Sequence, residues 1–83
     1  MEVYILEGCQ VCNDFERTEI MFFEPKVFTD FEEACKELKR KYQKRLFSGD
    51  VNSSDLKKDY FKIEFAMGEV IESCTINRVL INV

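Results

Sequence analysis

Phe31, Ala34, Cys35, Leu38, Tyr42 and Leu46 recur at mostly three- and four-residue intervals, the period that lines side chains along one side of an α-helix. Ahead of that stripe, Thr29 and Glu32 have the spacing of a capping box, and Phe28 is placed to act as a hydrophobic staple. Asp30, Glu32 and Glu33 fall at the positive end of the helix dipole, Lys44 and Arg45 at the negative end, and Gly49 is the expected stop. One helix with one apolar stripe cannot bury that stripe alone, so the rest of the chain has to supply a second layer.

The candidates for that layer read as strands. Val3 to Leu6 is an apolar run bounded by Gly8. Asn13 to Arg17 is polar and reads as a loop. Thr18 to Phe23 contains Ile20, Met21, Phe22 and Phe23 and is assigned as a strand ended by Pro25, although Cys12, Phe15, Glu19 and Phe22 also share a helical spacing. The stretch from Gly49 to Asp59 is rich in turn formers, Asn52, Ser53, Ser54 and Asp55, and is expected to be a connection. From Tyr60 the period becomes two, with Phe61, Ile63 and Phe65 on one face and Tyr60, Lys62 and Glu64 on the other. Met67-Gly68-Glu69 is a hairpin turn or bulge, Val70 to Ile76 its partner strand, and Asn77-Arg78 a kink before Val79, Leu80 and Ile81. The expectation is a single α+β domain over residues 1–83, order β-β-α-β-β, with an antiparallel sheet of four strands and the long helix on one face.

Size and composition narrow the function classes. Eighty-three residues support one hydrophobic core, and 46% hydrophobic content with eight phenylalanines is enough to build it. No apolar run approaches the roughly 18 residues of a membrane span. The N-terminal stretch carries Glu2 and Glu7 where a signal peptide carries lysines, so a cytoplasmic protein with reduced thiols and no membrane association is expected. With no histidine there is no Ser-His-Asp or Cys-His pair, and the three glycines are too scattered for a phosphate loop. An enzyme is not expected, and neither is a cofactor.

The chemically loudest motif is Cys9-Gln10-Val11-Cys12. The segment from Val3 to Cys12 resembles the opening of a glutaredoxin or thioredoxin domain, in which a strand delivers C-x-x-C to a helix N-terminus and the first thiolate attacks disulfides. That resemblance implies a redox role for Cys9 and Cys12. It stops at residue 12, because the motif holds no proline, the single Pro25 comes too early to face the thiols, and no β-α-β alternation follows. A second reading groups Cys9, Cys12, Cys35 and Cys74 as a four-thiolate zinc site, although only one C-x-x-C pair is present where two are usual. The third, preferred reading takes Cys9 and Cys12 as small residues near a turn and Cys35 and Cys74 as core filler.

Charge is strongly segregated. Residues 1–35 carry nine acidic and two basic side chains, whereas residues 36–45 carry six basic and one acidic, in a chain of net charge -4. The basic back of the helix, including Lys39, Arg40, Lys44 and Arg45, offers cations to an acidic or phosphorylated partner, and Glu2, Glu7, Glu16 and Glu19 belong to an acidic face. A sequence pI near 4.8 argues against nucleic acid as the main partner. The pattern fits a protein-binding module, in its sharpest form a small acidic inhibitor of a host defence enzyme such as phages or mobile elements encode. Tyr4, Tyr60 and Phe47 are candidate contacts, and an unpaired sheet edge would admit a homodimer. A small-ligand sponge taking a nucleotide at the basic helix is a further alternative.

Overall fold

A computed structural model describes residues 1–13, 16–66 and 69–82. The elements are β1 (Glu2–Asn13), β2 (Thr18–Phe22), β3 (Lys26–Phe28), α1 (Phe31–Leu46), β4 (Val51–Lys57), β5 (Tyr60–Phe65) and β6 (Val70–Leu80). All strands join one antiparallel sheet in the order β2-β1-β6-β5-β4, and β3 pairs with β1 alongside β2. The helix covers one face of this sheet, giving a thin two-layer α+β domain of 48 × 25 × 15 Å. The expected class holds, with six strands where four were expected.

Twelve-residue β1 is the spine of the sheet. It pairs along its length with β6, from Glu2 opposite Leu80 to Cys12 opposite Val70. Its other edge is shared by two shorter strands, β3 opposite Tyr4–Leu6 and β2 opposite Cys9–Asn13. Because β2 and β3 both run antiparallel to β1, they are one strand interrupted at residues 23–25. Phe22 faces Cys9 and Lys26 faces Leu6, so the interruption holds one residue more than the opposing stretch of β1. Pro25, which has no N–H to give to the ladder, sits in this bulge, and Phe23 resumes contact by donating its N–H to the Gly8 carbonyl at 2.9 Å.

The side-chain period of two then sorts residues between faces. Toward α1 point Tyr4, Leu6, Gly8 and Gln10 of β1, Glu72, Cys74 and Ile76 of β6, and Phe61, Ile63 and Phe65 of β5. Leu6, Phe61, Ile63, Cys74 and Ile76 close over Ala34 and Leu38 of the helix to form the core. Phe31, Cys35, Tyr42 and Leu46 complete the helical stripe, and the Tyr4–Phe31 and Tyr42–Phe61 ring pairs lie 5.3 and 5.6 Å apart. Gly8 is required where β1 crosses beneath this core, since a Cβ there would come within 2.5 Å of Cys74 Sγ and collide with the Ser73 carbonyl.

Several local expectations are corrected. The helix cap is Asp30 rather than Thr29: Asp30 has extended φ and ψ of -118° and 124°, and its carboxylate accepts from the Glu32 N–H at 3.0 Å. A carboxylate both satisfies that free donor and complements the helix dipole. The helix ends at Leu46, with Phe47 as C-cap and Ser48 donating through its N–H and hydroxyl to the Arg45 carbonyl, before Gly49 is reached. Residues 51–57, expected to be a connection, form β4 by pairing with β5. The Cys9–Cys12 segment is the middle of β1 instead of a turn, and β6 runs unkinked through Asn77-Arg78. The hairpin expected at Met67-Gly68-Glu69 and the loop expected at residues 13–17 fall partly outside the described residues.

Candidate functional site

The strand position of the C-x-x-C decides its chemistry. Three residues along a strand advance about 10 Å and end on the opposite face. Cys9 accordingly points away from α1, with Sγ 3.8 Å from Ser73 Oγ, while Cys12 lies in the row that faces the helix side. The two thiols share neither a face nor a helix N-terminus. Cys74 is buried beneath the helix, where desolvation pushes its thiol up to about 11, and Cys35 sits on the helical stripe with its thiol likewise raised by burial. The four cysteines thus occupy separate surroundings, and no group of three metal-ligating side chains converges among the described residues.

The face opposite the helix is the conspicuous feature. No described element covers it. Across β2, β1 and β6 its rows read Ile20-Val11-Ile71 and Phe22-Cys9-Ser73; beyond the polar Glu7-Thr75 row are Val27-Ile5-Asn77 and Val3-Val79, with Val3 itself buried. Phe22 is 78% exposed, Val27 63% and Ile20 56%. The bulge at residues 23–25 produces this arrangement, because it shifts the phase of the broken strand so that Phe22 and Val27 both point outward while Phe23 and Phe28 point in. A groove of about 500 Å³ runs between Phe22, Cys9, Ser73, Thr75, Tyr60 and Pro25 on this face. Toward β5 and β4 the same face becomes polar, with Lys62 paired to Glu64 at 3.2 Å.

The charged candidates are placed as follows. Glu2 accepts from Tyr4 and lies 3.9 Å from Arg78, Glu7 accepts from Asn77, and Glu19 pairs with Arg17 at 2.7 Å. Glu16 is exposed. Glu7 rises from the open face, whereas the register puts Glu2 and Glu19 in rows on the helix side. On the helix, Arg40 pairs with Glu37, whose carboxylate this hydrogen bond holds below the usual range. Arg45 reaches down to Glu72 and lies over the Phe65 ring at 5.5 Å, which makes it part of the helix–sheet junction rather than a free contact. Lys39 and Lys44 remain exposed. Tyr4 is turned in against Phe31, whereas Phe47 is 90% exposed and stands apart from the apolar rows.

On the helix side, Arg40, Lys41, Lys44 and Arg45 line a cleft of about 330 Å³ that also touches Gln10, Phe23 and Glu72. The Lys41 ammonium lies 5.9 Å from the centre of the Phe23 ring. Sequence reasoning found the cations but not the cleft, because the strands opposite them are fixed only by the register of β1 on β6.

No protein-family model matches the chain, and neither curated proteins nor solved structures give a significant match. Among the described residues no helix is long and apolar enough to cross a membrane.

Proposed function

We propose that this protein is a non-catalytic protein-binding module that holds its partner against the open face of the sheet. The observation that carries the reading is the exposure of Ile20, Phe22 and Val27 in register with Val11, Ile71 and Ile5. Isolated exposed aliphatics are ordinary, but apolar rows on both sides of a single acidic position are the pattern of an interaction surface. Three strands at about 4.8 Å spacing and ten residues at about 3.3 Å give a face of roughly 450 Å², polar groups included, before side-chain relief is counted. Extended over β5, whose share of the face is polar, the area reaches roughly 600 Å², short of the roughly 800 Å² per partner of a standard interface.

The chemistry of the partner follows from the charge. Glu7 stands on the face itself, in a chain of net charge -4, so the matching surface is an apolar ridge that sets a lysine or arginine against it. Nucleic-acid-binding grooves of enzymes carry such cations. Occupying one is how a small acidic inhibitor of a host defence enzyme, of the kind mobile elements encode, would act in the cytoplasm.

A photo-crosslinking residue placed at position 22, with a second at Phe47 as an exposed apolar control, tests the assignment. A discrete adduct at position 22 that weakens at high salt and is absent at position 47 is the expected result. Equal labelling from both positions, or none from position 22, overturns the assignment. An adduct of twice the chain mass makes the occupant a second copy and rejects the basic partner.

A further inference from the structure

The cleft on the helix side carries a second site, independent of the open face. Four cations from successive turns of α1 line it against one carboxylate, Glu72, and that carboxylate is already engaged by Arg45 at 2.9 Å. Arg40 is held by Glu37 as well, so Lys41 and Lys44 are the lining cations with no carboxylate pairing among the described residues, and each stands one turn from an arginine of like charge. This concentration of positive charge occurs in a chain of net charge -4. The helix C-terminus accounts for Lys44 and Arg45, and Glu37 for Arg40, but Lys41 lies farther back along the helix, beside the Phe23 ring.

The inner wall adds selectivity. Gln10 presents an amide that both donates and accepts, and Phe23 supplies an apolar ring, while the enclosed Glu72 carboxylate stays with Arg45. A glutamine amide is a group that reads the edges of nucleobases, and the 330 Å³ volume is far more than a bare oxyanion fills. It lies at the small end of the roughly 300–1,000 Å³ range of ligand sites. A nucleic-acid strand is disfavoured, since its successive phosphates would run over the acidic surface of residues 1–35.

We propose that this cleft binds a small phosphorylated ring compound of nucleoside-monophosphate size, with Arg40, Lys41 and Lys44 around the phosphate and Gln10 and Phe23 against the ring. Arginine forks and lysine point charges are both established partners for phosphate oxygens.

Calorimetric titration of the intact protein with AMP, GMP, CMP, UMP and inorganic phosphate tests this. At least one nucleotide is expected to bind saturably, one per chain, at least about tenfold more tightly than inorganic phosphate. Lys44→Glu should weaken it by a further factor of about ten or more, whereas Lys39→Glu, the same charge change on the same helix outside the cleft, should not. Gln10→Ala should weaken the nucleotide and leave phosphate unaffected, and circular dichroism melts establish that each variant is folded. Absence of saturable binding at millimolar nucleotide, equal affinity for phosphate, or equal loss in Lys39→Glu overturns the proposal.

Discussion

Arg45 Nε donates to Glu72 Oε2 at 2.9 Å across the junction of helix and sheet, and the Glu72 side chain is almost fully enclosed while the Arg45 side chain still reaches solvent. The two ends of this pair are therefore unequal. Arg45→Ala strands a buried carboxylate and should cost about 3 kcal/mol or more in urea denaturation. Glu72→Gln leaves an arginine that can turn outward and should cost only about 1 kcal/mol.

The glycines separate in the same assay. Gly8→Ala drives a methyl group into Cys74 Sγ and the Ser73 carbonyl and should destabilise by about 1–3 kcal/mol. At Gly49 a Cβ would meet the Phe65 ring at 3.6 Å, an ordinary contact, so Gly49→Ala should change stability by no more than about 0.5 kcal/mol.

Capping offers a direct check on where the helix begins. Asp30→Ala removes the acceptor of the Glu32 N–H and should cost about 1 kcal/mol. Thr29→Ala should be nearly silent.

Thiol chemistry should follow the faces of the sheet. Mild oxidation is expected to leave Cys9 and Cys12 unlinked within one chain, since side chains on opposite faces of a strand cannot meet disulfide geometry. Mass spectrometry after alkylation reads this directly. Cys74, with its thiol raised to about 11 by burial, should resist alkylation at pH 8 until the protein unfolds. Its raised value also fixes a sign. The folded state keeps a proton that the unfolded chain loses near pH 9, so stability should fall as pH rises from about 9 to 11. Cys74→Ala should flatten that decline, and an unchanged slope would assign it to other groups.

The helix was readable because the stripe from Phe31 to Leu46 has no competing interpretation, and β5 because Phe61, Ile63 and Phe65 alternate with polar residues. β4 was not, since an edge strand with one partner needs no apolar alternation, and pairing with β5 overrides the turn preferences of Asn52, Ser53, Ser54 and Asp55. The second half of β1 was hidden for a related reason: Gly8, Cys9, Gln10 and Cys12 have weak strand preference, but neighbours on both edges hold them extended. The apolar block Ile20 to Phe23 was visible as a block. Which of its members face solvent depends on the extra residue in the bulge, and a one-residue phase cannot be read from composition. The basic segment was visible as charge, whereas the diversion of Arg45 to Glu72 required the register that places Glu72 beneath it.

That extra residue makes residues 23–25 behave like a reading frame for side chains. The segment upstream and the segment downstream are each in step with β1, but out of step with one another. Losing one residue here would force one of them to slide, exchanging Phe22 with Met21 or Val27 with Phe28 between the two faces. Insertions and deletions at this spot therefore rewrite the open surface without touching the helix or the β1–β6 spine. The chain thus has a place where its surface can diversify in single-residue steps while its core stays the same.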